Sequence, residues 1–227
     1  PDAEFPVCCG EKGRVGGTFV SETFENGKIV AFEGGTVSNA VPSLASATVT
    51  APEGALPAAE GIEVEDLGDG TVKLTAHGIG GHASLPAGTK NAIGMLVDYL
   101  LANDAVTGQE RGYLELLQKV FASTDGSTLG IAATDDLFEP LTCIGGTIAM
   151  VDGHLEQTID SRYPKSITGA EINGRLSALA EDYGATFVLT SDMVPFYIDP
   201  KNPAVQALVD SYNEFTGKQA EPFTIGG

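Results

Sequence analysis

The side chains best suited to bind metals or to act as nucleophiles are few in this sequence and lie far apart. The 227 residues contain three histidines, His77, His82 and His154. A catalytic zinc site needs about three protein ligands and one open position, and no His-x3-His pair or carboxylate–histidine cluster supplies them. No Gly-x-Ser-x-Gly nucleophile elbow is present, and Cys8 and Cys9 beside a glycine are weak indicators of a thiol nucleophile. The residue types alone therefore indicate a domain whose catalytic chemistry is incomplete.

The charge balance argues against phosphate-rich partners. The chain has 12 Lys and Arg residues against 31 Asp and Glu residues, a formal net charge of −19. A surface of this sign repels nucleic-acid backbones, and the acidic residues are spread along the chain as on a solvated surface. The glycine-rich run at 78–81 precedes a polar turn and lacks the strand–loop–helix setting of a phosphate-binding loop. We therefore expect no nucleic-acid partner.

Neither a membrane segment nor a disulfide framework is indicated. The longest apolar stretch, Ala92 to Ala102, is interrupted by Gly94 and Asp98 and is far too short to cross a bilayer. The chain opens with Pro1 and has no basic-then-apolar leader, so export is not indicated. Its three cysteines match neither a disulfide pattern nor a metal-binding spacing. We expect a protein of the reducing cytoplasm that does not associate with membranes.

Local patterns predict strands and helices in two successive groups. In the first half, β-rich runs are followed by helices with apolar residues at helical spacing, at 15–24, 28–33, 42–50, 62–65 and 71–77 for strands and 90–102 and 111–122 for helices. In the second half, a hairpin is followed by a helix, a strand and a last helix, at 142–151, 154–163, about 168–184, 186–191 and 202–217. Thr168 and Glu171 form a Thr-x-x-Glu capping box, and Asn202-Pro203 is a typical helix start. The Pro-rich segment 50–61 has room for a short helix at most.

This order of elements predicts an α+β fold. Each half pairs a meandering antiparallel sheet with helices on one face, as a ferredoxin-like unit does. The two halves span about 14–105 and 106–195, and together they form one domain from 14 to 195.

Four segments, in this order along the chain, carry a resemblance to a known enzyme family. They are Pro-Asp-Ala-Glu-Phe-Pro-Val with Gly-Glu-Lys-Gly (1–13), Gly-Ile-Gly-Gly-His-Ala-Ser-Leu-Pro (78–86), Ile-Asp-Ser-Arg-Tyr-Pro (159–164) and Ile-Gly-Gly (225–227). Together they resemble the co-catalytic zinc peptidase superfamily that includes aminoacylases, glutamate carboxypeptidases and dipeptidase V. The first segment is most similar to the dipeptidase V (Xaa-His dipeptidase-like) branch.

The resemblance implies that the chain is a lid domain with two remnants of an α/β catalytic domain. Residues 1–13 would be the edge of that domain, and 196–227 its return segment. Asp2 would be a ligand of one of two zinc ions, while the other ligands and the catalytic glutamate would lie before Pro1 and after Gly227. The chain alone is therefore expected to be inactive and to bind no zinc. The doubled lid would imitate a dimer within a monomeric parent protein.

The resemblance also implies roles for five further residues. His82 would reach the zinc centre and stabilise the oxyanion, the alternative being a loop histidine that caps the following helix. Arg162 would hold the substrate carboxylate or support the oxyanion, unless it only forms a salt bridge with Asp160. Asn39 would assist substrate binding or only shape its turn. Gly226 and Gly227 would let the backbone approach the peptide, or form a plain turn.

The activity implied for the parent protein is zinc-dependent hydrolysis of dipeptides with a free N-terminus. An N-acyl-amino-acid or succinyl-diamino-acid deacylase of the same superfamily is the alternative enzyme. A non-catalytic dimerisation or binding module is the alternative outside the enzymes. His77 and His154 match no functional position and are expected to be structural or exposed.

Overall fold

The computed structural model describes residues 5–226, so the predictions made for Asp2 and Gly227 lie outside the described residues. The four helices of this part of the chain are α1 (Ala92–Ala102), α2 (Gly108–Ala122), α3 (Gly169–Asp182) and α4 (Pro203–Thr216). The strands are β1 (Cys8–Glu11), β2 (Gly13–Ser21), β3 (Ile29–Gly34), β4 (Ala40–Val41), β5 (Leu44–Thr50), β6 (Ile62–Asp66), β7 (Thr71–His77), β8 (Gly81–His82), β9 (Thr142–Val151), β10 (His154–Tyr163), β11 (Ala185–Met193), β12 (Phe196–Tyr197) and β13 (Phe223–Ile225). No helix in residues 5–226 combines the length and the apolar character needed to cross a membrane.

One antiparallel sheet of eight strands organises most of the chain. Its order is β11-β2-β10-β9-β3-β5-β7-β6. The strands β9 and β3 join the two sides of the sheet through two residue pairs only, Glu33 with Ala149 and Gly34 with Ile148. Beyond Gly34 the chain leaves the sheet, so a seam opens between the two sides.

Helices α1, α2 and α3 cover one face of this sheet, which confirms the predicted α+β class. The main core holds the apolar residues of the strands, among them Val15, Leu74 and Ile159, together with Leu96 of α1 and Leu176 of α3. Alternate residues of each strand point into this core because side chains alternate between the two faces of a sheet. The opposite face, which we call the open face, carries no helix from the main core cluster.

The strand β2 does not stay with the strands that follow it in sequence. It lies between β10 and β11, paired with both over most of its length. Strand β2 lies in the predicted first half, 14–105, and both of its partners lie in the predicted second half, 106–195. The two predicted halves therefore describe the order of the elements in the sequence and not which strands pair. The reason is burial: Val15 and Phe19 of β2 are fully enclosed between these strands and α3.

A second, smaller sheet is formed by residues near both ends of the chain. Its order is β12-β1-β13, and β1 runs parallel to β13. Helix α4 packs on it through Val205 and Val209, which enclose Cys9. Parallel pairs with a helix on one face are typical of α/β domains.

The helix boundaries follow local capping chemistry. Helix α1 begins at Ala92 rather than at the predicted Lys90, because the Asn91 side chain accepts hydrogen bonds from the amides of Ile93 and Gly94. Helix α2 begins at Gly108, three residues before the predicted start. The segment at 51–59 forms turns, and no helix, consistent with its proline content.

The capping box of α3 is present as predicted, and its removal should cost a measurable part of the stability. The Thr168 hydroxyl accepts a bond from the Glu171 amide, and the Glu171 carboxylate accepts bonds from the Thr168 amide and hydroxyl. We expect Thr168→Ala to lower the free energy of unfolding by about 1 kcal/mol at neutral pH, measured by urea denaturation. Thr23→Ala, at an exposed threonine, is the control and should change it by less than about 0.5 kcal/mol.

The same box predicts how this effect depends on pH. The hydrogen bonds from the Thr168 hydroxyl and amide lower the pKa of Glu171. A carboxyl group with a lowered pKa in the folded state stabilises the fold above its unfolded pKa and loses this contribution as the pH falls through the folded pKa. The difference between wild type and Thr168→Ala should therefore shrink in acid. A difference that grows as the pH falls would contradict this account.

Candidate functional site

His82 and Asn39 meet on a short two-stranded ribbon. Strand β4 pairs antiparallel with β8, and Ala40 lies opposite His82. The carbonyl of Asn39 accepts a hydrogen bond from the Ala83 amide at 3.0 Å. Two segments separated by about forty residues of sequence are thereby held side by side, with the His82 ring exposed to solvent.

The ribbon packs on the open face of the large sheet, at the seam between its two sides. Val41 and Ala83 of the ribbon form a small buried cluster with Ile144 of β9. The turn before the ribbon fits closely against the same strand, because a Cβ atom added at Gly146 would collide with the carbonyl oxygen of Ser38. The side-chain amide of Asn91 also donates a hydrogen bond to the carbonyl of Gly145 at 2.8 Å, which connects the start of α1 to β9.

Arg162 lies on the same face of the sheet as the ribbon. Opposed residues of paired antiparallel strands point to one face, and Asp160 lies opposite Ile144 while Arg162 lies opposite Thr142. Residues 160 and 162 are two apart on one strand and so share that face. The main core cluster, on the helix face, takes the intervening positions, Cys143 and Ile159 among them. The structure therefore brings the ribbon and the arginine to one surface.

The Arg162 guanidinium is engaged by a buried carboxylate. Its Nε donates to Asp160 Oδ1 at 2.5 Å, and Arg14 Nε donates to Asp160 Oδ2 at 2.6 Å. The Asp160 side chain is 0% exposed and that of Arg162 is 7% exposed. The salt bridge considered as an alternative role for Arg162 is therefore present. Contact with a substrate carboxylate remains a prediction for this residue.

A third cation stands beside this pair. The Lys12 ammonium is buried and donates to the carbonyl of Pro140 at 2.6 Å. Burial lowers the pKa of Lys12; the charge of Glu139 opposes this shift, and the charge of Arg162 adds to it. Arg14 and Arg162 both bind the fully buried Asp160, and Lys12 lies close enough to Arg162 for the two charges to repel.

The cysteines have no features of an activated nucleophile. Burial, assisted by the charge of Asp160, raises the pKa of the enclosed Cys143 thiol to about 12. Burial likewise raises the pKa of Cys9. Cys8 donates to the carbonyl of Gly10, and all three cysteines are free thiols. A thiolate is the reactive form of cysteine, so burial keeps Cys9 and Cys143 in their unreactive form.

A cavity of about 490 Å³ opens next to the Asn39 turn. It lies on the open face of β3, β5 and β7, and its walls include the polar side chains of Glu33, Thr36, Ser46 and Lys73. Glu33 accepts a hydrogen bond from Ser46 at 3.2 Å. Neither His82 nor Arg162 lines this cavity, so it is separate from the surface that the ribbon shares with the ion pair.

The described residues do not provide a metal site by themselves. Within residues 5–226, no group of three or more His, Cys, Asp or Glu side chains could hold a metal ion. The remaining histidines are engaged elsewhere: His77 Nε2 lies 3.1 Å from a Glu63 carboxylate oxygen, and His154 Nε2 lies 3.1 Å from one of Glu156. Residues 5–226 therefore lack the set of ligands that a zinc ion needs.

Gly226 reaches the ribbon from the other end of the chain. A Cβ atom added to Gly226 would lie 3.0 Å from the Cβ of Ser84, in the turn that follows His82. A side chain at this position would therefore require Ser84 to shift by a few tenths of an ångström. The structure thus brings Asn39, His82 and Gly226 together, with Arg162 on the same sheet face.

Two features of the site were missed in the sequence. Asp160 binds Arg14 as well as Arg162, and the spacing of Asp160 and Arg162 on one strand was the only local signal of an ion pair. The second is Ser84, whose hydroxyl lies 2.8 Å from His82 Nδ1. No sequence pattern distinguishes this contact from an ordinary turn.

The close fit of the Asn39 turn against β9 predicts a large effect of one methyl group. Gly146→Ala should force the Ser38 carbonyl and the turn away from the strand, lowering the free energy of unfolding by about 1–3 kcal/mol, as measured by urea denaturation. Gly174→Ala is the matched control, because nothing lies within 4 Å of an added Cβ in this helical position. The control should instead stabilise the chain by about 0.5–1 kcal/mol, and equal effects of the two variants would contradict the packing argument.

Taken together, the fold and the site define an α+β domain in which β3 and β9 join the two sides of one large sheet. The open face of this sheet carries His82, Asn39 and the buried Arg162. No family model matches the chain. A protein of Staphylococcus epidermidis named "Putative dipeptidase" is 27% identical over 245 residues, covering 100% of this chain and 52% of the relative. A Staphylococcus haemolyticus protein of the same description is 27% identical over 247 residues, with the same coverage.

A solved structure shares the fold. The crystal structure of the aminoacylhistidine dipeptidase from Vibrio alginolyticus superposes with a TM-score of 0.51 and 11% sequence identity, covering 96% of this chain and 51% of that one. At this identity the likeness is one of fold. The chain spans about half the length of these relatives.

Proposed function

We propose that this chain is the lid and substrate-binding portion of a zinc-dependent dipeptidase that acts on dipeptides with a free N-terminus. The observation that carries the proposal is the shared open face, on which the His82 ribbon and the Asp160–Arg162 pair both lie. The dipeptidase names of relatives that match the whole chain support the same reaction class. Because the chain covers about half of each relative, we propose that the activity belongs to a longer parent protein and that the 227 residues alone are inactive.

Each site residue has a role in this proposal. His82, exposed on the ribbon, would donate a hydrogen bond to the oxyanion that forms when the peptide carbonyl is attacked. Arg162 would fix the carboxylate end of the dipeptide, and Asn39 would contribute a polar contact beside His82. Gly226, and Gly227 beyond the described residues, would let the backbone run close to the peptide. Asp2 remains a predicted zinc ligand outside the described residues.

The zinc ions are proposed as cofactors of the parent protein only. Two ions would be held mainly by residues that this chain does not contain, with Asp2 as its one contribution. When bound, they would polarise the peptide carbonyl and supply an activated water molecule. The residues described here would bind and orient the substrate and, on closure of the lid, exclude water.

We also propose the setting in which the parent protein works. It is a cytoplasmic monomer whose two-sided lid takes the place of a dimer, with a dipeptide as its only partner and neither nucleic acid nor a membrane bound. The three free thiols are compatible with a reducing compartment, and the net charge of −19 is unfavourable for nucleic acid.

The proposal is tested by profiling the parent protein against two substrate sets. We expect zinc-dependent release of amino acids from unblocked dipeptides and little hydrolysis of N-acyl or N-succinyl amino acids. Preference for the acylated set would replace the dipeptidase by a deacylase. Failure on both sets, with zinc added and the protein folded, would leave a non-catalytic binding or dimerisation module.

A calorimetric zinc titration of the 227-residue chain complements this assay. No tight stoichiometric site is expected, since one predicted ligand is too few. A site with one zinc per chain would contradict the proposal that the remaining ligands lie outside this sequence.

A further inference from the structure

The Nδ1 atom of His82 has two polar neighbours, and both belong to Ser84. The Ser84 hydroxyl oxygen lies 2.8 Å from Nδ1, and the backbone amide of Ser84 lies 3.2 Å from the same atom. The two groups approach one nitrogen of the ring and leave the other, Nε2, without a described partner. The two ring nitrogens of His82 therefore differ in their hydrogen-bonding environment.

The chemistry of the amide decides which nitrogen carries the proton. A backbone N–H group can only donate, so the nitrogen that it faces must be an acceptor. In the neutral imidazole one nitrogen donates and the other accepts. With Nδ1 accepting from Ser84, the proton of neutral His82 resides on Nε2. The Ser84 hydroxyl can rotate to add a second donated bond to Nδ1.

We infer that Ser84 is a positioning residue, which keeps Nδ1 of His82 an acceptor and thereby makes Nε2–H the donor of the ring. The catalytic consequence rests on the proposed function, because an oxyanion needs a donor held in place before the charge develops. The ring geometry itself does not depend on it.

The neighbourhood of Ser84 restrains its position. The serine lies in the turn directly after the buried Ala83, whose amide is bonded to the Asn39 carbonyl. Gly226 approaches the Cβ of Ser84 so closely that a side chain at 226 would have to displace it. Ser84 is thus restrained from both sides. Its two contacts with Nδ1 restrain the His82 ring in turn.

The tautomer can be read directly from the 227-residue chain. In long-range ¹H–¹⁵N spectra at alkaline pH, His82 should show an unprotonated Nδ1 and a protonated Nε2. Ser84→Ala keeps the backbone amide contact and loses only the hydroxyl contact with Nδ1. The Nδ1 signal should therefore move part of the way toward the averaged position of a mixture of tautomers, and Ser84→Thr, which keeps the hydroxyl, should restore it. Ser43→Ala, at an exposed serine of the neighbouring segment, is the control and should leave the three histidine signals unchanged.

Two spectroscopic results would overturn the inference. One is a protonated Nδ1 at His82 in the wild-type chain, and the other is a Ser84→Ala spectrum identical to that of the wild type. His77 and His154, whose Nε2 atoms face carboxylates, serve as internal references for a protonated Nε2 in the same sample.

Kinetics of the parent protein separate this inference from the proposed function. Ser84→Ala should lower kcat about tenfold or more with little change in KM, as expected for a misplaced catalytic group, and Ser84→Thr should recover most of it. Dipeptidase activity that depends on His82 but not on Ser84 would refute the positioning role alone. Absence of any dipeptidase activity, with the predicted spectra observed, would refute the proposed function alone.

Discussion

Replacing His82 by alanine in the parent protein is expected to lower kcat for dipeptide hydrolysis by about 100- to 1000-fold. This is the loss typical of removing one donor to an oxyanion. KM should change little, because the imidazole would act on charge that develops only in the transition state. Steady-state kinetics on an unblocked dipeptide measure both quantities.

The matched control is His154→Ala. This histidine lies six residues along β10 from Asp160, about 20 Å away along an extended strand, and its ring is paired with Glu156. It should leave kcat within a factor of about two of the wild type, as expected for a residue far from the reacting atoms. Equal losses in the two variants would point to unfolding, and an unchanged kcat in His82→Ala would contradict the proposed role of this residue.

Replacing Asp160 by alanine is expected to be the most destabilising change in this region. The carboxylate is fully buried and receives bonds from two arginines. Its removal would leave the Arg162 guanidinium buried without its counter-charge, and breaking a buried ion pair in this way costs about 3–5 kcal/mol. We expect the free energy of unfolding, from urea denaturation, to fall by this amount.

Three variants show whether the buried charge is responsible. Asp136→Ala, at an exposed aspartate that precedes β9 in the chain, should change the free energy of unfolding by less than about 0.5 kcal/mol. Asp160→Asn keeps the size and one acceptor and should lose less than Asp160→Ala. Arg14→Gln should also lose less, since the Arg14 side chain is 31% exposed and water can replace part of its interaction. A loss below about 1 kcal/mol in Asp160→Ala would contradict this account of the ion pair.

Local chemistry made most of the secondary structure predictable. The hairpin of β9 and β10 spans the predicted residues, because strand-forming residues flank Asp152-Gly153, and Asp152 adopts a positive φ of 47° that favours such a turn. Helices α3 and α4 begin at the caps named from sequence, Thr168 and Asn202, since a cap is formed by neighbours in the chain. The predicted start of α1 at Lys90 was wrong by two residues, because the Asn91 side chain caps the helix that begins at Ala92.

The site was predictable in part. Asn39, His82, Arg162 and Gly226 were named from motifs, and the structure places Asn39, His82 and Gly226 together with Arg162 on the same face. The motifs did not indicate the charge environment, because Arg14 and Asp160 are 146 residues apart and meet only through strand pairing. They also did not indicate that Ser84 turns back onto the ring, a contact decided by loop geometry.

The sequence by itself determined the α+β class, the order of the main elements, the caps of α3 and α4 and the candidate residues, since each depends on side-chain periodicity or on contacts within a few residues. Only the tertiary structure decided that β2 inserts between β10 and β11, that the two sides of the sheet meet at β3 and β9, and that a seam opens there for the ribbon. Strand partners are chosen by the burial of whole faces over long sequence separations. No local pattern records that choice, so the shared surface of His82 and Arg162 exists only in the folded chain.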